Sequence, residues 1–259
     1  MSYPISITGI RLIVCCGLAL AWMVLGTVES AVAQQESQHR GFLSLNGGFQ
    51  ATTSDFTDNV RFVSNVEVGD FSANYNREPS IAFDAAGGVR VWRGLAIGVG
   101  VSMFDTDSSA TVSARFPHPF YFDRHRQVDG SAAGLTRREI GIHVQATWIV
   151  PVTDWLDVAV FGGPTFFTVD QDFVTEVMSE DTYPFDTASF TGVTTGSESE
   201  SANGFNVGVD VGFYLSPNVG VGGMARFSRA TVNFGFADGG IVSTDVGGFQ
   251  VGGGLRVRF

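Results

Sequence analysis

The feature that constrains this chain most is a period of two, and it is plainest at residues 246–259, VGGFQVGGGLRVRF. Gly247, Phe249, Val251, Gly253, Leu255, Val257 and Phe259 form one set; Gly248, Gln250, Gly252, Gly254, Arg256 and Arg258 form the other. Such alternation means a strand whose two faces meet different surroundings. One face is apolar, and the other carries glycine, Gln and two arginines. A soluble sandwich would bury the apolar face against a second sheet. A membrane-spanning barrel turns it to lipid and lines its lumen with the polar set. Residues 249–259 match the roughly 9–11 residues a tilted strand needs to cross a bilayer.

The same pattern recurs from the start of the chain. A strand at about 40–51 sets Leu43, Leu45 and Phe49 against Ser44, Asn46 and Gln50. One at about 80–91 sets Ile81, Phe83, Val89 and Val91 against Asp84 and Arg90, and one from 95 sets Ile97, Val99, Val101 and Met103 against small residues. At about 138–150, Ile140, Ile142, Val144 and Trp148 oppose Glu139, His143 and Gln145. The strand from 156 carries Val158, Val160 and Phe166 outward and Asp157 inward; at 205–215 Val207, Val209 and Val211 oppose Asn206 and Asp210; the strand from 219 carries Val221 and Phe227 outward and Arg226 inward. With the closing segment this predicts eight strands, an even number that returns both ends of the ring to one side. After residue 30 no apolar run is long enough to cross a bilayer as a helix.

The connections alternate in length. Those after the second, fourth and sixth strands are two to four residues, whereas 52–79, 104–137, 170–203 and 228–245 are long. Short turns on one rim and long loops on the other predict an all-β fold: a closed, antiparallel, up-and-down 8-stranded transmembrane β-barrel with periplasmic turns and extracellular loops. Trp92, Trp148 and Trp155 all fall beside short turns, where amphipathic rings mark the membrane interface. An extra hairpin at 110–126, making ten strands, is the competing topology.

Residues 1–33 read as an export segment: Arg11, an apolar run at 12–25, then Ala31 and Ala33 in a small-x-small cleavage pattern. Cleavage after Ala33 leaves a barrel domain of 34–259 and removes both cysteines, Cys15 and Cys16. It also removes Arg11 and Glu29, so 14 basic residues (15 less one) face 25 acidic ones (26 less one) and the charge stays at -11. That balance argues against nucleic acid as a partner.

Leu255, Val257 and Phe259, alternating up to an aromatic terminus, resemble the C-terminal signal of bacterial outer-membrane β-barrels. With the opening GFLSLNGGFQ and the topology, the chain resembles the eight-stranded outer-membrane protein A-like barrels. The resemblance covers the barrel, not the peptidoglycan-binding domain of that protein. It implies a Gram-negative outer-membrane location, contact with outer-membrane lipids and lipopolysaccharide, and periplasmic chaperones and the barrel-insertion machinery as partners in biogenesis.

Four features could carry chemistry. Asp84, Arg90, Glu139, His143, Asp157, Asp210, Arg226, Arg256 and Arg258 point inward, and an eight-stranded barrel has room for side chains and little else, so these groups must pair. Outer-membrane enzymes need a His beside a Ser or Asp; only His143 sits on a strand, and Glu139 lies roughly 13 Å from it along the strand, so no catalytic residue, metal site or cofactor is expected. The run 116–126 packs Phe116, His118, Phe120, Tyr121, Phe122, Arg124 and Arg126 together, an aromatic and basic knot that either binds a partner or folds over the barrel mouth. Residues 170–200 hold eight acids and no base, read as a solvated acidic loop. The expected role is structural, or contact at the surface through the long loops. A narrow porin-like channel is the alternative, and a lipid-modifying enzyme is the third reading.

Overall fold

The computed structural model describes residues 39–51, 56–77, 79–235 and 241–259; the expected export segment lies outside them. The strands are β1 Gly41–Ala51, β2 Phe56–Ser64, β3 Glu67–Arg77, β4 Ser80–Trp92, β5 Leu95–Pro117, β6 His125–Thr153, β7 Leu156–Thr182, β8 Thr187–Tyr214, β9 Val219–Gly235 and β10 Ile241–Arg258. All neighbours pair antiparallel, and eight of the ten close a ring in the order β1, β4, β5, β6, β7, β8, β9, β10 and back to β1. Closure leaves no edge in that ring. Phe42↔Arg258 through Ala51↔Phe249 seals first strand to last.

The ring count matches the sequence reading, but the four long connections differ from it. Residues 104–117 and 125–137 continue β5 and β6, and 170–182 and 187–203 continue β7 and β8. The extra hairpin comes from the first connection, not from 110–126. It is β2–β3, and β3 takes up the edge of β5 that β4 leaves at Phe104 (Asp70↔Arg115 to Arg77↔Ser108).

These strands run past the bilayer because their two faces exchange chemistry without losing the period of two. On β5, Ile97, Val99, Val101 and Met103 face outward and are 40–54% exposed. Above them the same face carries Asp105, Asp107, Ser109 and Thr111. The inner face runs Ala96, Gly98, Gly100, Ser102, then Phe104, Ala110, Val112 and Ala114, all buried. Lipid outside and a polar lumen inside thus give way to water outside and an apolar interior. That interior is one cluster including Phe71, Tyr75, Val112, Leu135, Phe167, Val169, Phe173, Val232 and Phe234. Its aromatics interlock: Phe56 stacks on Tyr75 at 4.4 Å and Phe173 meets Phe234 edge-on at 5.0 Å.

Phe234 reaches that position because the ring parts above the membrane. Pairing of β8 with β9 ends at Phe205↔Arg229, and that of β1 with β10 at Ala51↔Phe249. Gly247 (φ 87°) and Gly248 (φ 138°) bend β10 at this level. A Cβ on Gly247 would lie 2.5 Å from the Ser228 carbonyl oxygen, so backbone conformation and space both require glycine there.

Candidate functional site

The inward charges expected from sequence come together in the lumen, in separate groups. At the short-turn end Asp157 accepts from Arg258 (3.2 Å) and lies 4.0 Å from Arg90. The Arg258 guanidinium sits over the Tyr214 ring at 3.8 Å. Arg256 grips Asp210 through both carboxylate oxygens, at 2.9 and 2.5 Å. Arg226 pairs with Asp84 at 2.7 Å, both side chains 1% exposed. Asn46 donates to the other Asp84 oxygen at 3.1 Å, and Phe161 lies under the Arg226 guanidinium. Removing either member of so buried a pair strands a charge.

His143 faces inward as expected, but it joins hydroxyls rather than charges. Ser102 Oγ lies 2.9 Å from its Nε2 and Thr165 Oγ1 2.9 Å from its Nδ1. Asn206 donates to Thr165, and Gln145 donates to Asn206. The imidazole is fully buried, and the chain holds it among neutral groups that satisfy both ring nitrogens. Glu139 belongs to another group, nearer the cap. It accepts from Arg137 Nε (2.6 Å), Gln50 Nε2 (3.2 Å) and the Gly247 backbone N–H (3.1 Å). Arg137 also donates to Gln171 (2.9 Å) and to the Asp245 carbonyl. Glu139 therefore ties β6, β1 and β10 together where the lumen meets the apolar cap.

Sequence reasoning missed Arg137, Gln171 and Thr165, and it placed Ser102 and Asn206 on the inner face without giving them a role. Arg137 fell in a presumed loop, yet it shares the strand parity of Glu139, and that parity was the available signal. The hydroxyls and amides carry no charge, so nothing in the sequence marked them as one hydrogen-bonded group.

The loop knot divides. Phe116 packs on Phe62 at 5.1 Å, while His118 and Arg126 are buried. Phe120, Tyr121 and Phe122 instead stand 60–77% exposed. The acidic loop supplies the counter-charges: Arg124 pairs with Asp186 (3.0 Å), Arg126 with Asp181 (2.5 Å), and His118 faces Asp186 at 3.8 Å. Phe120 meets Phe185 at 5.2 Å, beside Tyr183, which is 84% exposed. The two loops thus form one knob with an aromatic tip, and the third connection is a partner to the second rather than an independent solvated loop.

No protein-family model matches this chain, and no curated protein matches it. Its fold is similar to that of Neisserial surface protein A (11% identity, 85% of this chain and 97% of that one, TM-score 0.43). It is similar too to the outer membrane protein OprG from Pseudomonas aeruginosa (10%, 85% and 97%, 0.45) and the outer membrane protease OmpT from Escherichia coli (9%, 88% and 100%, 0.44). At these identities the likeness concerns fold alone.

The outward face completes the site's setting. Trp92, Trp148 and Trp155 are 49–59% exposed at the short-turn rim. Of the closing residues, Leu255 and Phe259 are exposed and Val257 half-buried, all on the outer face. Inside, a cavity of about 60 Å³ occupies the short-turn half of the lumen, walled by Phe42, Ile149, Phe161 and Tyr214 and by the Arg90, Arg256 and Arg258 group.

Proposed function

We propose that this chain is an outer-membrane β-barrel that makes contacts at the cell surface through the knob built from its second and third connections. The supporting observation is the exposure of Phe120, Tyr121, Phe122 and Tyr183 at 60–84% in a chain that buries Phe71, Tyr75, Phe173 and Phe234 almost completely a short way below. Exposed aromatic patches of this kind mark interaction surfaces. The fourteen residues from Phe104 to Pro117, at roughly 3.3 Å each and a tilt of about 40°, lift the knob about 35 Å above the lipid boundary. Anchoring to its own membrane does not account for aromatics at that height. The ion pairs inside the knob hold the two loops in one arrangement, which lowers the entropic cost of binding.

In this reading the lumen is closed. Arg226 on β9 reaches Asp84 on β4, and Glu139 on β6 reaches Gln50 on β1 and the Gly247 N–H on β10, with the apolar cap above. The reading gives the Ser102–His143 pair no catalytic role, because at 8% and 0% exposure it offers a substrate no approach. Export by residues 1–33 and assembly by the barrel-insertion machinery complete the proposal.

Two measurements test it. The refolded chain in a planar bilayer should show no discrete conductance steps; regular steps would favour the narrow channel. Cells displaying the chain should be retained on immobilised extracellular proteins or glycans more than cells displaying Phe120→Ser/Phe122→Ser at equal surface level. Equal retention would remove the knob from the proposal.

A further inference from the structure

We propose that the knob docks on the surface of an opposing lipid bilayer, zwitterionic and bearing choline headgroups; this names a partner for the knob and rests on its reading as a contact surface. A third hairpin joins the two connections that form the knob. At the β2–β3 turn, Asn65 Nδ2 donates to the Pro117 carbonyl (3.3 Å), and Glu67 accepts from the Asp123 backbone N–H (2.8 Å). On the other side Phe120 meets Phe185 at 5.2 Å and Arg124 pairs with Asp186 at 3.0 Å. Three hairpin tips therefore stand side by side, and each carries an exposed apolar group. Val66 is 90% exposed, Phe120, Tyr121 and Phe122 are 60–77%, and Tyr183 is 84%.

Val66 shows that this apex serves something outside the fold. Asn65 (φ 51°) and Val66 (φ 69°) both take the left-handed conformation, in a two-residue hairpin turn that favours Asn followed by Gly. Asn tolerates that conformation, whereas a β-branched side chain is strained in it. The Val66 side chain then lies in water, so the fold gains neither a relaxed turn nor apolar burial from it. Strain retained at an exposed apolar tip points to a contact made there.

Shape and charge select the partner. The rings and Val66 project from three convex tips, so a protein partner would need a separate pocket for each. The interfacial layer of a bilayer moulds around such tips, and aromatic rings settle at that depth. The bilayer is a second one, because Met103 and the apolar band that meets the chain's own lipid lie at the far end of β5. Residues 64–68, 118–126 and 180–187 hold five carboxylates, Glu67, Asp123, Glu180, Asp181 and Asp186, against two arginines, Arg124 and Arg126. The difference, three formal negative charges with His counted as neutral, repels anionic lipid. It suits the outermost cation of a choline headgroup, which aromatic faces also attract.

The test is flotation of the full refolded barrel, held in nanodiscs that cover its apolar band, with vesicles of phosphatidylcholine or of phosphatidylglycerol. The expected result is saturable co-flotation with phosphatidylcholine and little with phosphatidylglycerol. Phe120→Ser/Phe122→Ser should weaken it about tenfold, and Val66→Gly about threefold. Glycine relieves the turn at 66, so weaker binding by Val66→Gly does not come from misfolding. If the double variant fails the heat-dependent gel shift of a folded barrel, Val66→Gly decides alone. Ile241→Ser, at an exposed apolar residue on β10 outside the three tips, should bind like the wild type. No co-flotation of the wild type, with cells still retained through the knob on proteins or glycans, would overturn the bilayer and leave the knob a contact surface. Equal binding by the wild type and both tip variants, or tighter binding to phosphatidylglycerol, would overturn it too.

Discussion

The exchange of faces along β5 makes a sharp prediction, because two outward positions on one strand should respond oppositely to the same substitution. Val99 points outward and is 54% exposed, level with the Ile97–Met103 apolar band. Thr111 also points outward, twelve residues higher and on the same parity. Twelve residues at roughly 3.3 Å and a tilt of about 40° separate them by about 30 Å along the membrane normal. If Val99 meets the hydrocarbon, Val99→Arg should cost about 2–4 kcal/mol, the range for a cation near the midplane of a transmembrane barrel. Thr111→Arg should stay within about 0.5 kcal/mol, as an exposed substitution in water does. The assay is reversible urea unfolding of each variant in phospholipid vesicles, followed by tryptophan fluorescence and by gel mobility without boiling. Equal costs at the two positions would refute the exchange of faces and with it the placement of the membrane boundary.

Three further predictions follow from individual groups. Asp84→Ala leaves Arg226 buried without its carboxylate and should cost about 3–5 kcal/mol, whereas Asp84→Leu with Arg226→Met should recover most of that; unfolding of both variants and the wild type in the same vesicles measures the difference. Tyr75 is pushed up to about 12 by burial, helped by the charge of Asp58 and opposed by the Val174 N–H bond to its hydroxyl. A phenol raised above its unfolded value of 10.0 stabilises fully below that pH and loses the contribution as pH rises through about 12. The two-unit gap is about 2–3 kcal/mol, so protease resistance of the cap should fall in that window in the wild type and not in Tyr75→Phe. Phe259→Ala should lower the amount of barrel inserted in cells yet leave refolding in detergent unchanged, since the ring is 66% exposed; normal cellular levels would rule out the closing residues as an insertion signal.

The membrane band was legible in the sequence because lipid and lumen each demand one chemistry at one parity. Val207, Val209 and Val211 against Asn206, Gly208 and Asp210 leave little choice of fold. The part above the membrane obeys the same geometry, but its chemistry is reversed, so Asp105, Asp107 and Ser109 looked like the start of a loop. Phe104, Val112 and Ala114 kept the inward parity and were the available clue. Residues 187–203, TASFTGVTTGSESESAN, have no apolar face to read at all; their strand is set by pairing with β7. The lumen pairs were legible as a set and not as partners, because which Arg meets which Asp depends on ring closure between distant strands: Arg226 and Asp84 are 142 residues apart. The knob joins residues from two connections, and only the complementary charge of Arg124 and Arg126 with Asp181 and Asp186 hinted at it.

Two kinds of solvent hold one set of strands, and this separates the stabilities of the two halves. The lower half is held by lipid around its apolar face and by a closed ladder whose hydrogen bonds meet no water. The upper half is held by an ordinary hydrophobic core, with Phe173 fully buried against Tyr75, Phe56 and Phe234. Phe173→Ala should therefore cost the cap about 3–5 kcal/mol while the membrane band stands. Amide exchange resolves this within single strands. In that variant, residues 106–116 of β5 and 170–178 of β7 should lose protection, and 96–102 and 158–164 should keep it. Loss of protection along the whole of β5 would mean that the strand unfolds as one unit, and that the cap and the barrel share one cooperative core.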